Sequence, residues 1–524
     1  MAARLFCLLL CLSAAGADDL ADRLARIGTW DGRTAQAELS GPYADPLQQA
    51  VPFGRRSYYL APWRAYVDTW PARRYLDCPG VNFNVPREEA IEPLAQLLGE
   101  SGITHARVEV GWGSMDWDRP DTLPEHTARR LTKTLRALHS AGIRPLILLN
   151  ANSGWPVPIH GWHVKLTADA AVGAREIVVD KTQDIVPHHT GLRGHGYQIA
   201  FPLITAVDAA SGRCTLSAPL AKEVKAGDLE LFTLKYAPFG GPETEQTVAG
   251  WMAYVRGLAH FCRDTLASGD PRDAGFDLEV WNELTFGSQF LEDKNYYQPA
   301  REGQPEWTYS RWGRTNRGFT NLLCLTADWV AEPASGLPAV KVITGFSNQW
   351  PWDNGTEMWP TQTGFSRHYY TGLARSDARD PLVGTVCSAT MSPSEAKSGP
   401  VNALGQPDGK PDGKDWHTVE PGSFFVPTFR RGHPEYWLYA YQTEFMARDL
   451  QPFPGPWATH HRYSQPGTGR PPEVWQTEFN CDRAPFFDAL LASGVKRDDP
   501  RAHELAQWVG AKAMLRAFPF YSHK

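Results

Sequence analysis

The sequence predicts an α/β protein built as a (β/α)8 TIM barrel, with a small all-β module inserted after the third strand. Three observations predict it. From about residue 78 onward, short apolar runs of strand type alternate with segments of helical periodicity. Two of those runs, Leu278-Glu279-Val280-Trp281-Asn282-Glu283 and Val474-Trp475-Gln476-Thr477-Glu478-Phe479, carry a Glu at or near their C-terminal end. Strands of a parallel barrel present side chains at that mouth. The alternation is interrupted once, at 162–237, by closely spaced β-like runs separated by Gly-containing turns.

In order along the chain, residues 1–17 read as a signal peptide: Arg4 is basic, 5–12 are apolar, and Ala15-Gly16-Ala17 is a small-residue cleavage site. This predicts a secreted or periplasmic protein. The apolar run is too short to span a bilayer, and no later run is long enough. Residues 18–77 form a Pro- and aromatic-rich lead-in, and 78–524 form the barrel around the insert.

The first strand is 80–84. A helix over 87–101 places Ala90, Leu94, Leu97 and Leu98 on one face and closes at Gly102. The second strand is 104–110. The next helix has Leu131, Leu135 and Leu138 at i, i+4 and i+7 and ends before Gly142, and 145–150 is a buried third strand. After the insert, Trp251, Val255, Leu258 and Cys262 mark a helix that feeds the fourth strand, ending at Glu283. A helix near 315–331, strands at 340–345 and 364–370, a helix around 434–449, the strand ending at Glu478 and a helix near 501–517 follow, and 518–521 reads as the eighth strand. The chain stops just past it, so no final helix is expected.

A net charge of −6 without a basic cluster argues against nucleic acid as a partner. Twenty Trp is high, and many fall in loop-like stretches (Trp112, Trp117, Trp155 and Trp162 among them). Indoles stack on the C–H faces of sugar rings, although any one of them serves equally well as a core residue. The six Cys outside the leader lack metal spacing. One or two pairs are candidates for bridging, while Cys262 and Cys324 fit helix faces as small core residues. No Gly-x-Ser-x-Gly nucleophile elbow occurs, and with no His-Glu-x-x-His and only adjacent His pairs (His188-His189, His460-His461) no metal is expected.

Two carboxylates on separate strands are the minimum equipment for cleaving a glycosidic bond, one protonating the departing oxygen while the other attacks or activates water. Glu283 and Glu478 are the candidates. Asp277 and Glu279 share the parity of Glu283 along their strand and compete with it from deeper positions. Strict alternation also sets Asn282 and Glu283 on opposite faces, so both reach one site only if the pleat ends or twists there.

Trp281-Asn282-Glu283 resembles the acid/base motif of glycoside hydrolase clan A, the retaining β-glycosidases such as families 5 and 39. Trp475-Gln476-Thr477-Glu478-Phe479-Asn480 resembles the clan's nucleophile strand, His368-Tyr369-Tyr370 its sixth-strand His-x-Tyr, and Arg107 its second-strand pattern. The resemblance covers 78–521 without the insert. It implies a cofactor-free hydrolase acting on an oligo- or polysaccharide, with Glu283 as acid/base and Glu478 as nucleophile. Asn282 would bind the sugar 2-OH, Arg107 and Tyr370 would support Glu478, and His368 would line the cleft or orient a carboxylate. A transglycosylase would carry the same residues. A non-catalytic carbohydrate-binding or adhesion protein on a barrel scaffold is the competing expectation, since fold alone does not guarantee chemistry. The insert, on the rim where the site is expected, either walls the cleft or is a packing module.

Overall fold

The computed structural model describes residues 77–151, 154–195, 202–238, 243–282, 318–344, 360–369, 473–479 and 496–522, with short segments at 310–311, 314–315, 383–387, 397–400, 424–427 and 483. The leader and most of the lead-in, the helix expected around 434–449, and the candidate residues Glu283 and Tyr370 lie outside them. The chain falls into two units, one of Gly80–His368 with Ala458–Glu478 and the other of Met1–Pro79, Tyr369–Trp457 and Phe479–Lys524.

The first unit is built on a seven-stranded sheet. Its strands are β1 (Gly80–Asn82), β2 (His105–Gly111), β3 (Arg144–Asn150), β10 (Asp277–Val280), β11 (Val342–Thr344), β12 (Gly364–Tyr369) and β13 (Glu473–Phe479). They lie side by side in chain order, and the pairs β1–β2, β2–β3, β3–β10, β10–β11 and β11–β12 are all parallel. Parallel neighbours need crossovers, which α1 (Ile91–Glu100), α2 (Glu125–Ser140), α3 (Thr244–Leu266) and α4 (Gly318–Ala331) supply. Both α1 and α2 stop at a glycine in the left-handed region, Gly102 (φ 84°) and Gly142 (φ 73°). In each, the following Ile amide returns to a Leu carbonyl five residues back: Ile103 to Leu98 at 3.0 Å and Ile143 to Leu138 at 2.9 Å.

Alternation gives each strand two faces. Ala106, Val108, Val110, Ile147, Leu149, Leu278, Val280 and Val342 join the main apolar core. Leu131, Leu135 and Leu138 of α2 and Trp251, Val255, Leu258 and Cys262 of α3 pack in the same core, and burying each large side chain contributes about 1.5–3 kcal/mol. The stripe expected on α1 is displaced. Ile91 and Ala95 are buried, whereas Leu94 and Leu97 are exposed, because the i, i+4, i+7 row starting at Ile91, not the row through Ala90, meets the sheet. Trp112 also belongs to the core and not to a cleft, fully buried against Trp251 and Tyr254.

The opposite strand faces carry Arg107, Leu146, Leu148, Asn150, Asp277, Glu279, Ser366, His368 and Thr477, all buried. Side chains bring the two ends of the strand order together, with the Asn82 amide on β1 donating to the Thr477 carbonyl on β13 at 3.1 Å. The eighth strand expected at 518–521 is not formed. Those residues continue α5 (Pro500–Ser522), which belongs to the second unit. The Ala-, Leu- and Arg-rich run before them propagates a helix, and each added residue gains a backbone hydrogen bond that a lone four-residue strand lacks. The second unit also holds a three-stranded antiparallel sheet of Lys397–Pro400, Val383–Cys387 and Phe424–Pro427.

Among the described residues between β3 and α3 are the strands β4 (Ile159–Leu166), β5 (Glu176–Val178), β6 (Thr190–Leu192), β7 (Ile204–Asp208), β8 (Arg213–Leu216) and β9 (Gly227–Leu234). They form two antiparallel sheets, β4-β9-β6 and β5-β8-β7, around a core of their own that includes Val164, Ile177, Ile204, Cys214 and Leu231. Burial pushes the Cys214 thiol up to about 11 and raises those of Cys262 and Cys324 as well, leaving them apolar packing groups.

Candidate active site

Strand β10 ends at Val280, short of the Glu283 end point expected from the sequence. The break falls at Trp281, which takes a left-handed backbone (φ 69°) with its side chain fully buried. This answers the parity problem for Asn282. The pleat stops one residue before it, and its side chain turns to the strand mouth instead of following the alternation. A large non-glycine residue in this region is strained by about 1–2 kcal/mol, and such strain persists where packing over-determines the backbone.

The site is organised by Arg107, at 8% exposure. Its Nε donates to Glu279 Oε2 at 2.5 Å, its Nη1 to Glu478 Oε1 at 2.6 Å and its Nη2 to Asn282 Oδ1 at 2.7 Å. A guanidinium presents its donors in a rigid fork, so this one group sets the relative positions of three side chains, from β10, the turn that follows it and β13. Burial acts to lower the Arg107 pKa, but Glu279 and Glu478 outweigh it and hold it above its ordinary value. The cation is therefore permanent.

Around Glu478 a second set of contacts completes the cluster. His368, fully buried on β12, sets Nδ1 3.4 Å from Glu478 Oε2 and Nε2 3.0 Å from the Thr477 hydroxyl. Thr477 donates in turn to Glu279 Oε1 at 3.0 Å. Four of the residues singled out from the sequence, Arg107, Asn282, His368 and Glu478, are thus brought into one contact network. The other two, Glu283 and Tyr370, lie outside the described residues.

The two competing carboxylates are placed apart from each other. Asp277 sits at the start of β10, bound by Arg144 Nε at 2.7 Å and by the Lys341 amide at 2.9 Å, and pins the N-terminal end of the sheet. Glu279 lies inside the Arg107 cluster, fully buried. Sequence reading did not identify Thr477 or Asn82 as part of the site. Thr477 had a signal, a hydroxyl beside a strand-end Glu, but its partner is 198 positions away. Among the described residues, no group of three or more His, Cys, Asp or Glu could hold a metal ion, and no helix is long and apolar enough to cross a membrane.

Fold and site together define an α/β protein with a buried arginine–carboxylate cluster at the ends of parallel strands. No protein-family model and no curated protein matches the sequence. Solved structures to which the chain is similar include a family 39 glycoside hydrolase from the gut symbiont Bacteroides cellulosilyticus WH2, with 12% identity over 61% of this chain and 42% of that one and a TM-score of 0.25. An exo-β-1,4-mannosidase from Opitutaceae bacterium strain TAV5 shows 13% identity over 56% and 38%, with a TM-score of 0.30. A GH5-4 broad specificity endoglucanase from an uncultured bacterium shows 11% identity over 58% and 68%, with a TM-score of 0.27. The chain spans less than half of the first two. Overlaps this loose leave function to be argued from the chain's own residues.

Proposed function

We propose that this chain is a glycoside hydrolase that cleaves O-glycosidic bonds of an oligo- or polysaccharide by double displacement, with Glu478 as nucleophile and Glu283 as acid/base. The observation that carries the proposal is the shared guanidinium. Arg107 holds Glu478 Oε1 at 2.6 Å and Asn282 Oδ1 at 2.7 Å. The residue after Asn282 in the sequence is Glu283. Two carboxyls within about 5–5.5 Å of each other are the requirement for retention.

Each neighbour then has a chemical reason. Arg107 counters the negative charge that a nucleophilic carboxylate carries and fixes one of its oxygens. Asn282, held by the same group, offers an amide to the sugar 2-OH, where a hydrogen bond strengthens as the oxocarbenium-like transition state forms. The reading extends to export, on the leader at 1–17.

The test uses an activated aryl β-glycoside and a panel of β-linked glycans. Glu478→Ala and Glu283→Ala should each abolish release of new reducing ends. Azide should restore turnover of the aryl glycoside to both, giving a glycosyl azide of inverted configuration with the first and of retained configuration with the second. Wild-type turnover in both single variants would end the proposal.

A further inference from the structure

The contacts around Glu478 form a closed circuit. Arg107 donates to Glu279 and to Glu478; Thr477 donates to Glu279; His368 lies between Thr477 and Glu478. Five side chains on four strands are linked, and Glu279 is the one that touches both arms without touching Glu478.

Hydrogen bookkeeping around this circuit leaves one arrangement. A threonine hydroxyl has a single hydrogen. The Glu279 carboxylate offers only acceptors, and it is fully buried, with Arg107 Nε on Oε2 at 2.5 Å and the Thr477 hydroxyl on Oε1 at 3.0 Å. The Thr477 hydrogen therefore points to Glu279, because turning it away would set two buried oxygen lone pairs against each other. Towards His368 Nε2, 3.0 Å away, the same hydroxyl can then only accept. Nε2 of the ring therefore carries a proton, which it donates to the Thr477 hydroxyl, and Nδ1 is the nitrogen turned to Glu478 Oε2 at 3.4 Å.

We propose that Glu279 is a positioning residue: it aligns Arg107 directly, and His368 through the Thr477 hydroxyl, on the two oxygens of Glu478, and so fixes the protonation of the His368 ring at Nε2. The expected effect on turnover rests on the reading of Glu478 as the reacting carboxylate; the state of the ring does not. A glutamine at 279 does not reproduce this arrangement: with its carbonyl on Arg107 its amide donates to the Thr477 hydroxyl, whose own hydrogen then turns to His368 Nε2 and displaces the ring proton from that nitrogen. A valine at 477 keeps the shape and loses the relay, while a serine keeps the relay.

The experiment labels the histidines of the full chain with ¹⁵N and identifies the His368 ring by its loss in His368→Phe. Long-range ¹H–¹⁵N correlation should show Nε2 protonated in the wild type and in Thr477→Ser, and a changed ring pattern in Thr477→Val. On an aryl β-glycoside, Thr477→Val and Glu279→Gln should lower kcat about 10–100-fold, the range for groups that orient a reactive centre, with KM little changed and with Thr477→Ser restoring the rate. An Nε2 that carries no proton in the wild type, or a ring signal indifferent to Thr477→Val, overturns the proposal, as does full kcat in both Thr477→Val and Glu279→Gln. A ring that behaves as expected in a protein that cleaves no glycoside keeps the relay and removes the glycosidase reading instead.

Discussion

Replacing Arg107 by methionine isolates what its charge does for the fold. Glu279 is fully buried and Arg107 nearly so, at 0% and 8% exposure, and the two meet at 2.5 Å. Without the guanidinium, Glu279 keeps only the Thr477 hydroxyl, and its charge is buried without a counter-ion. Removing one partner of such a pair costs about 3–5 kcal/mol, mostly because of the charge left behind. At about 3 kcal/mol per molar urea, that loss lowers the unfolding midpoint by roughly 1–2 M. The double variant Arg107→Met/Glu279→Leu removes the stranded charge at similar volume. It still deprives Thr477 of its acceptor, a loss of about 1 kcal/mol. Glu478 also loses a partner, but at 15% exposure it retains access to water. The double variant should therefore recover at least half of the single variant's loss. Urea titrations followed by both circular dichroism and Trp fluorescence measure this. A double variant as unstable as Arg107→Met, or more so, would refute the argument that the desolvated charge of Glu279 dominates.

Two further outcomes follow from local geometry. Trp281→Ala should lose about 3–5 kcal/mol for the buried ring, whereas Trp281→Gly should be the more stable of the two by about 1 kcal/mol, because glycine accepts the positive φ that alanine does not; thermal melts in which the alanine variant is equal or better would contradict this. Arg501 holds the Asp499 carboxyl down to about 2 through side-chain and backbone hydrogen bonds at the start of α5, against an ordinary value of 3.8. Its folded-state pKa is depressed, so its support of α5 is present above about pH 4 and is lost as the pH falls towards 2. Amide exchange in the first turn of α5 should accelerate over that window in the wild type and not in Asp499→Ala.

Several elements were legible because their cause is local. Gly102 and Gly142 end helices since a left-handed residue closes the last turn, and that preference is written in the residue itself. The α2 stripe of Leu131, Leu135 and Leu138 was readable from its spacing. The α1 stripe was not, because two adjacent apolar rows run along that helix and only the sheet selects between them. The C-terminal run at 518–521 looked like a strand by composition, and the helix before it carried through. Trp281 has no turn signature at all; its positive φ comes from the packing of its ring in the core.

The site divides in the same way. The two Glu-bearing runs, the Asn282-Glu283 dipeptide, and Arg107 and His368 as polar residues within strand patterns are legible in the sequence, since periodicity and residue chemistry are properties of short segments. It takes the folded chain to show that Arg107 binds Glu279, Glu478 and Asn282 together, across separations of 172, 371 and 175 positions. The fold also places Glu279 inside the cluster and Asp277 against Arg144 at the other end of the strand. A buried polar group must find its partner wherever the fold supplies one, and parallel strands become neighbours only after their crossovers are complete.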